Sequence, residues 1–524
     1  MKNMKIIITL LLSLFVLSSC VKEPEYDRTE IEARSLKAWI KRNRPELLGN
    51  YQQEGGYYVD VLKWGEDNTP ADGNDLGSQA IMEQDTCWVY YNFTGYDLDG
   101  NVFSTRDEMI ARMQATYTDR THYVSYGNYS GDEEYYAIVE GSYLASRNKI
   151  TLGEEYIARA DKQSICQGTE LILRKGSKVR LYLPSTIGYS TSGSSAEGGY
   201  EGQFSLDANV PMILDMEIMR VVKNPSDNEL DLVDGLVKIC NDNNEQPVWL
   251  QIEEKDEESG EDDGDNTDDS SDTEDTEGEG AEKKYLDGIY YTADFSPTNT
   301  LAHLGYARLD QSGFNNPYKD SDRYADMAAF DKKLWEILDK KFADMIEQTD
   351  ATEAEEVGEE NDALIWYVGR FADGFIFDTN IDEVRELAFG EEESSTVGES
   401  ISYSVSSSKD EYISAWAHCI PKMRYGRWGA LITTSGYAYG SAGVSASTST
   451  STSSAQAYNA LANLYNYYSM MGSSYYNSYS YYNYYNYYGG YTNYYDYGDT
   501  TTTIETEIAP YAPLVFYVFI EPKE

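Results

Sequence analysis

The stretch WYVGRFADGFIFDTN, residues 366–380, gathers Trp366, Tyr367, Phe371, Phe375 and Phe377 around Gly369 and Gly374 and then reaches Asp378. Further on come Ile413 and Trp416 in DEYISAWAHCIPKM, Tyr439 in TTSGYAYG, and Phe516 in PLVFYVFIEP. Rings at this density around one carboxylate have two readings. They pack as a core, or they line a water-poor cleft to which the carboxylate and the phenols lend polarity. Other chemistries are excluded or unsupported. His122, His303 and His418 are the only histidines, too few for a histidine-rich metal site. Cys87, Cys166, Cys240 and Cys419 show neither a CxxC pair nor a zinc spacing. DLDGN, residues 97–101, opens like a calcium loop but lacks the third ligand position and the later glutamate, so it reads as a turn. No metal and no cofactor is implied.

Strands must position most of these residues. DTCWVYYNFTG (85–95), KVRLYL (178–183), PMILDMEIMRVV (211–222), WGALITT (428–434) and PLVFYVFIEP (513–522) alternate or are rich in β-branched and aromatic residues. Ile413, Trp416 and Ile420 share a helical face, and Pro421 ends that short helix. Antiparallel sheet packed on a short helix makes an α+β fold. Two further helices are expected: one over residues 29–48 carrying Trp39 and Ile40, and one that sets Met327, Phe330, Leu334, Ile337, Leu338 and Phe342 along one face.

The chain repeats itself. Phe93, Gly95, Gly100, Phe103 and Ser104 match Tyr367, Gly369, Gly374, Phe377 and Asp378 at a constant separation of 274. GSKVRLYLPSTIGYS (176–190) matches GRWGALITTSGYAYG (426–440), pairing Gly176 with Gly426 and Tyr189 with Tyr439. LDANVPMILDMEI (206–218) matches IAPYAPLVFYVFI (508–520), with Pro211 and Pro513 in register. Three blocks in one order argue for two copies of one domain.

In this order the motifs resemble the FKBP-type peptidyl-prolyl cis–trans isomerases: Tyr-x-Gly on a strand, a turn, Gly-x-x-Phe-Asp, a helix with Ile-x-x-Trp, a strand opening on Gly, Tyr-Gly, and a last strand with Leu-x-Phe. The resemblance implies two FKBP-like domains, each an antiparallel sheet wrapped on a short helix. It also implies roles in the second copy. Trp416 is the floor under a prolyl ring, Tyr367, Phe377 and Phe516 are walls, and Ile413 adds apolar surface and a backbone N–H. Tyr439 donates its hydroxyl to a substrate carbonyl, and Asp378 orients, held by hydrogen bonds that include the Tyr367 hydroxyl. The first copy departs from the pattern, with Phe93 for the tyrosine, Ser104 for the aspartate, Leu214 for the last phenylalanine and, by spacing, Cys166 at the floor. Phe103 and Tyr189 are kept. It reads as a degenerate counterpart used for binding or support. The implied partners are proline-containing polypeptides and macrolide inhibitors.

The N-terminus reads as an export signal. MKNMKIIITLLLSLFVLSSC has Lys2 and Lys5, an apolar run too short to span a bilayer, and small residues before Cys20. LSSC resembles the lipobox of bacterial lipoproteins, which implies removal of residues 1–19, lipidation of Cys20 and a membrane anchor in the cell envelope. Residues 20–50 then hold the anchor and the first helix, and 51–225 the degenerate domain. Residues 226–252 read as extra strands or a connection. Residues 253–282 hold 17 acids and one lysine, about a third of the net charge of −49. The span 253–284 is expected to be a disordered linker between the domains. Residues 285–524 form the second domain, with a helical insertion at about 311–360 and a Ser/Thr/Tyr-rich segment at 441–503 beside Tyr439. So acidic a chain is a poor partner for nucleic acid. The alternative function is a non-catalytic surface lipoprotein that binds through FKBP-like scaffolds and the Tyr-rich segment.

Overall fold

The computed structural model describes residues 28–66, 68–129, 138–154, 156, 170–189, 206–242, 249–254, 284–293, 322–349, 354–390, 398–405, 412–444, 448–450, 502–504 and 506–522. The expected signal peptide, Cys20, Cys166, His303, nearly all of the acidic run and most of the Ser/Thr/Tyr-rich segment lie outside them. No helix among the described residues is long and apolar enough to cross a membrane. The chain mixes helices with antiparallel sheets, and two of the sheets have seven strands each.

Helix α1 (Arg28–Asn43) precedes the first large sheet. Its strands are β1 (Tyr51–Gln52), β2 (Tyr57–Lys63), β3 (Trp88–Tyr96), β4 (Val102–Thr105) and β5 (Tyr126–Tyr129), completed by β8 (Lys178–Leu183) and β9 (Met212–Val222). A separate pair, β6 (Ile150–Thr151) and β7 (Glu170–Leu171), stands apart from it. The order is β1-β2-β8-β9-β3-β4, with β5 also on β3. Helices α2 (Glu108–Met113) and α3 (Glu140–Arg147) follow β4 and β5.

Helix α4 (Pro225–Asp242) opens the second half. Strands β10 (Leu250–Glu253) and β11 (Tyr285–Thr292) come next, then helix α5 (Asp322–Glu347). After it run β12 (Asp362–Phe371), β13 (Ile376–Thr379), helix α6 (Asp382–Phe389), β14 (Ile401–Ser404), helix α7 (Ser414–Cys419) and β15 (Arg427–Thr433). A short pair, β16 (Thr448–Thr450) and β17 (Thr502–Ile504), leads to β18 (Leu514–Ile520). The second large sheet runs β10-β11-β15-β18-β12-β13, with β14 also on β12. This is the order of the first sheet, strand for strand.

The match reaches the register. Gly95 faces Ser104 and Gly369 faces Asp378, and each pair is followed by a register shift at the next residue. Leu181 faces Leu214, and Leu431 faces Phe516. Both hairpin glycines are required. A Cβ on Gly95 would meet Phe103 Cζ at 2.5 Å, and one on Gly369 would meet Phe377 Cζ at 2.6 Å, so each ring lies on a backbone with no side chain.

Two expectations are corrected. Residues 226–252, expected as extra strands or a connection, mostly form helix α4, whose Val233 and Leu236 enter the core of the second sheet, and only their end enters a strand, β10. The acidic run does not join two folded units. β10, before it, and β11, after it, pair as antiparallel neighbours, as β1 and β2 do across a short turn. The run is therefore the connection of a hairpin within the second sheet. Self-repulsion and the lack of apolar groups argue for solvation, but they do not say which elements a segment joins.

The two sheets differ in what covers their backs. In the first, Arg180 faces Asp215 and Lys178 faces Glu217, a ladder of ion pairs on a partly solvated face. At the same registers the second sheet has Ala430 facing Tyr517 and Trp428 facing Phe519. Helix α5 covers that apolar face. Its Phe342 ring sits 4.4 Å from Phe519 and 5.2 Å from Trp428, and its Leu334 and Leu338 are fully buried. β18 is buried along its whole length. Val515, Tyr517 and Phe519 pack towards α5, whereas Leu514, Phe516, Val518 and Ile520 pack towards α7.

Candidate active site

On the α7 side of the second sheet, β12 and β13 bring Tyr367 and Asp378 together. Their crossing is pinned by Asn380, whose Oδ1 accepts from Tyr367 N–H at 2.8 Å, and by Thr379, whose hydroxyl donates to the Tyr367 carbonyl at 2.6 Å. The Tyr367 hydroxyl then donates to Asp378 Oδ2 at 2.5 Å. Asp378 Oδ1 accepts from Thr379 N–H at 2.9 Å and has Arg385 Nη1, from α6, at 3.8 Å. Burial, and next the Asp378 carboxylate, hold the Tyr367 phenol well above the ordinary tyrosine range, so it serves as a donor.

Helix α7 supplies the next layer. Ile413 caps it in an extended conformation, and its carbonyl accepts the Trp416 N–H at 3.0 Å. Pro421 has no N–H to donate and sits in the 3-10 turn Ile420–Lys422 that closes the helix. Trp416 meets Tyr367 at 5.5 Å and Phe516 at 6.0 Å, both edge to face, and Phe377 meets Phe516 at 5.6 Å in the same manner. Edge-to-face rings at these separations are the favoured aromatic geometry. Trp416, Phe377 and Phe516 are buried, and the Trp416 Nε1 has no hydrogen-bond partner among the described residues.

Tyr439 follows the 3-10 turn Ser435–Tyr437 and is 37% exposed. Its phenol is raised by burial and then by the charge of Asp378, which brings it into the electrostatic reach of the same carboxylate as Tyr367. A buried ring cluster thus carries two protonated phenols, one bound to Asp378 and one partly open to solvent.

Sequence reasoning missed several participants. Tyr412 stacks on the Trp416 indole at 5.2 Å and 13°, and Tyr403 meets it edge to face at 6.0 Å. Arg385 was unsignalled because helix α6 was not expected. His122, from the first half, stacks on Phe371 at 4.4 Å and 7°, with its Nε2 2.6 Å from Asp373 Oδ2. Phe371 in turn packs on Phe377 at 5.3 Å.

In the first half, Phe93, Phe103 and Leu214 are buried at the corresponding registers. Cys166, expected at the floor by spacing, lies outside the described residues, and the position equivalent to Trp416 is Ser142. Helix α3 is capped by Val139 as α7 is by Ile413, and the Ser142 N–H donates to the Val139 carbonyl at 3.0 Å. The separation of 274 that relates Phe93 to Tyr367 also relates Ser142 to Trp416, a signal present in the sequence. Ser142 is fully buried, with its hydroxyl donating to the Val139 carbonyl at 2.6 Å. The Tyr189 ring lies edge to face on Phe103 at 5.6 Å. Among the described residues, the corresponding positions of this half hold neither the indole nor the carboxylate.

No family model matches the sequence, and no curated protein matches it. Solved structures do match. The three FKBP domains of wheat FKBP73 align over 90% of this chain and 95% of theirs, at 11% identity and a TM-score of 0.18. A peptidyl-prolyl cis-trans isomerase from Pseudomonas syringae pv. tomato aligns over 37% of this chain and 96% of its own, at 14% identity and a TM-score of 0.21. FkpA from Escherichia coli aligns over 41% of this chain and 72% of its own, at 15% identity and a TM-score of 0.20.

Proposed function

We propose that the protein is an FKBP-type peptidyl-prolyl cis–trans isomerase or folding chaperone of two FKBP-like units, with catalysis in the second. The observation that carries this reading is the 2.5 Å bond from the Tyr367 hydroxyl to Asp378, set against Trp416, Phe377 and Phe516, with the Tyr439 phenol raised by burial and by the charge of the same carboxylate.

An X-Pro amide isomerises through a twisted state, against a barrier of about 18–20 kcal/mol. In that state resonance is lost and the carbonyl is less polarised. A dry aromatic site therefore favours the twisted form over the planar one, which is differential binding of the transition state. Trp416 supports the prolyl ring, Tyr367, Phe377 and Phe516 enclose it, and Ile413 extends the apolar wall and supplies a backbone N–H. Tyr439 donates to a substrate carbonyl, and Asp378 orients the Tyr367 phenol. No covalent intermediate and no cofactor is needed. The first unit, with Ser142 and Ser104 in place of indole and carboxylate, serves binding or support. We also propose lipidation at Cys20 and a place in the bacterial envelope, on the resemblance of LSSC to a lipobox.

The test is cis–trans exchange of proline peptides with the full-length protein. Wild type accelerates exchange, Asp378→Ala and Trp416→Ala each lower kcat/KM by about tenfold or more, and a macrolide inhibitor of the family competes. Unaltered activity in both variants would refute the assignment. A second reading, a non-catalytic binding module, is favoured by the 3% exposure of Trp416 beneath Tyr412. It expects no acceleration by wild type, and affinity for an unfolded polypeptide that is lost when residues 441–503 are deleted.

A further inference from the structure

Helix α4 carries none of the residues expected at the site, yet its Glu229 reaches the turn that presents Tyr439. Glu229 is 3% exposed, and both its carboxylate oxygens accept from one residue. Oε2 takes the Ser435 N–H at 3.0 Å, and Oε1 takes the Ser435 hydroxyl at 2.7 Å. Ser435 opens the 3-10 turn, and its carbonyl accepts the N–H of Ala438 and that of Gly440, each at 2.8 Å. Tyr439 lies between those two amides. Ser414, beside Ile413 at the start of α7, ties the same turn from below by donating to the Tyr437 carbonyl at 3.2 Å.

The first half repeats the device. Glu32 of α1 accepts the Ser185 N–H, and its Oε2 accepts the Ser185 hydroxyl at 2.6 Å. Ser185 opens the equivalent 3-10 turn, and its carbonyl accepts the Gly188 N–H at 3.0 Å just before Tyr189. A buried carboxylate is costly unless its acceptors are filled by well-placed donors. Burial raises the Glu229 acid, and the two bonds from Ser435 partly offset that rise. Such a group on a helix far away in sequence fixes the turn more firmly than local backbone bonds alone.

We propose that Glu229 is a positioning residue for Tyr439: by clamping Ser435 it fixes the turn that holds the Tyr439 hydroxyl where a substrate carbonyl would accept it. The proposal rests on the isomerase reading of the second unit, and its test separates the two.

The experiment compares full-length wild type with Glu229→Ala, Glu229→Gln and Glu32→Ala. Glutamine preserves the clamp, since its Oε1 can accept the Ser435 N–H while its Nε2 donates to the Ser435 hydroxyl. Glu229→Ala lowers kcat/KM for a proline peptide by about tenfold, mostly in kcat. Glu229→Gln stays within about threefold, and Glu32→Ala, which removes the same clamp from the other unit, within about twofold. In parallel, the Ala438 and Gly440 amides exchange hydrogen about tenfold faster in Glu229→Ala and at the wild-type rate in Glu229→Gln. A folded Glu229→Ala protein with wild-type kcat/KM overturns the proposal, as does a Glu229→Gln protein that falls equally far. If wild type shows no isomerase activity, the catalytic reading fails and the exchange rates decide. Faster exchange confined to Glu229→Ala upholds positioning, and unchanged exchange overturns it.

Discussion

Tyr412 lies almost parallel to the Trp416 indole, and Trp416 is left nearly without solvent contact. One face of the indole is thus taken by a phenol, and a prolyl ring that stacked on that face would have to displace it. Tyr412 is only partly buried, adjoins the cap residue Ile413 and packs on Tyr403 of β14 at 5.5 Å. Exchanging it for a smaller side chain, Tyr412→Val, is expected to raise kcat/KM by roughly twofold to tenfold and to speed solvent exchange of the Trp416 indole N–H. Unchanged values of both would show that the ring is no cover. At this scale the sequence was informative where residue type alone decides chemistry. Tyr367, Phe377, Asp378, Trp416, Tyr439 and Phe516 were all named from motifs. Tyr412 and Arg385 were not, because their role depends on a ring plane and a helix position that spacing does not report.

At the scale of elements, the second sheet is gripped on both sides, and the grip has a polar centre. Arg370 on β12 is 1% exposed and donates to Asp331 Oδ1 of α5 at 2.6 Å, to the Gly374 carbonyl at 2.6 Å and to the Tyr517 hydroxyl at 3.2 Å. It ties the covering helix to the hairpin turn that precedes Phe377 and Asp378. Asp331→Ala deprives a buried guanidinium of its carboxylate and is expected to destabilise the protein by about 3–5 kcal/mol in chemical denaturation. A loss below about 1 kcal/mol would mean that the pair is no anchor. Helix α5 was legible from the apolar stripe of Leu334, Leu338 and Phe342. Its docking site was legible only in part. WGALITT and PLVFYVFIEP read as alternating strands, but β18 is buried on both faces, so its hydrophobicity reports two cores rather than one.

The whole molecule begins its second half earlier than the composition suggested. Helix α4 and β10 precede the acidic run, yet they belong to the second sheet, as α1 and β1 belong to the first. A fragment of residues 285–524 lacks an edge strand, Val233, Leu236 and Glu229. It is expected to aggregate or to melt at least about 10 °C below a fragment of residues 225–524, the loss of several buried side chains amounting to a few kcal/mol. Equal melting temperatures in calorimetry would show that α4 and β10 are accessory. The halves also touch. His122 and Arg120 of the first lie on Phe371 and Phe389 of the second, and Arg106 Nη2 is 2.5 Å from Glu507 Oε2.

By itself the sequence determined what is local or periodic: strands from alternation, helices from apolar stripes, turns from glycine, and a duplicated order of motifs from fixed separations. It also determined which residues have the chemistry to build a ring-lined site. Tertiary structure alone decided which strands are neighbours, and so turned the acidic run from a link between units into the connection of one hairpin. It alone put Tyr412 on Trp416 and Glu229 against the turn that carries Tyr439. The physical reason is the same in each case. Strand pairing and side-chain contact across long separations depend on where buried surface and donors meet in space, and neither periodicity nor composition carries that information.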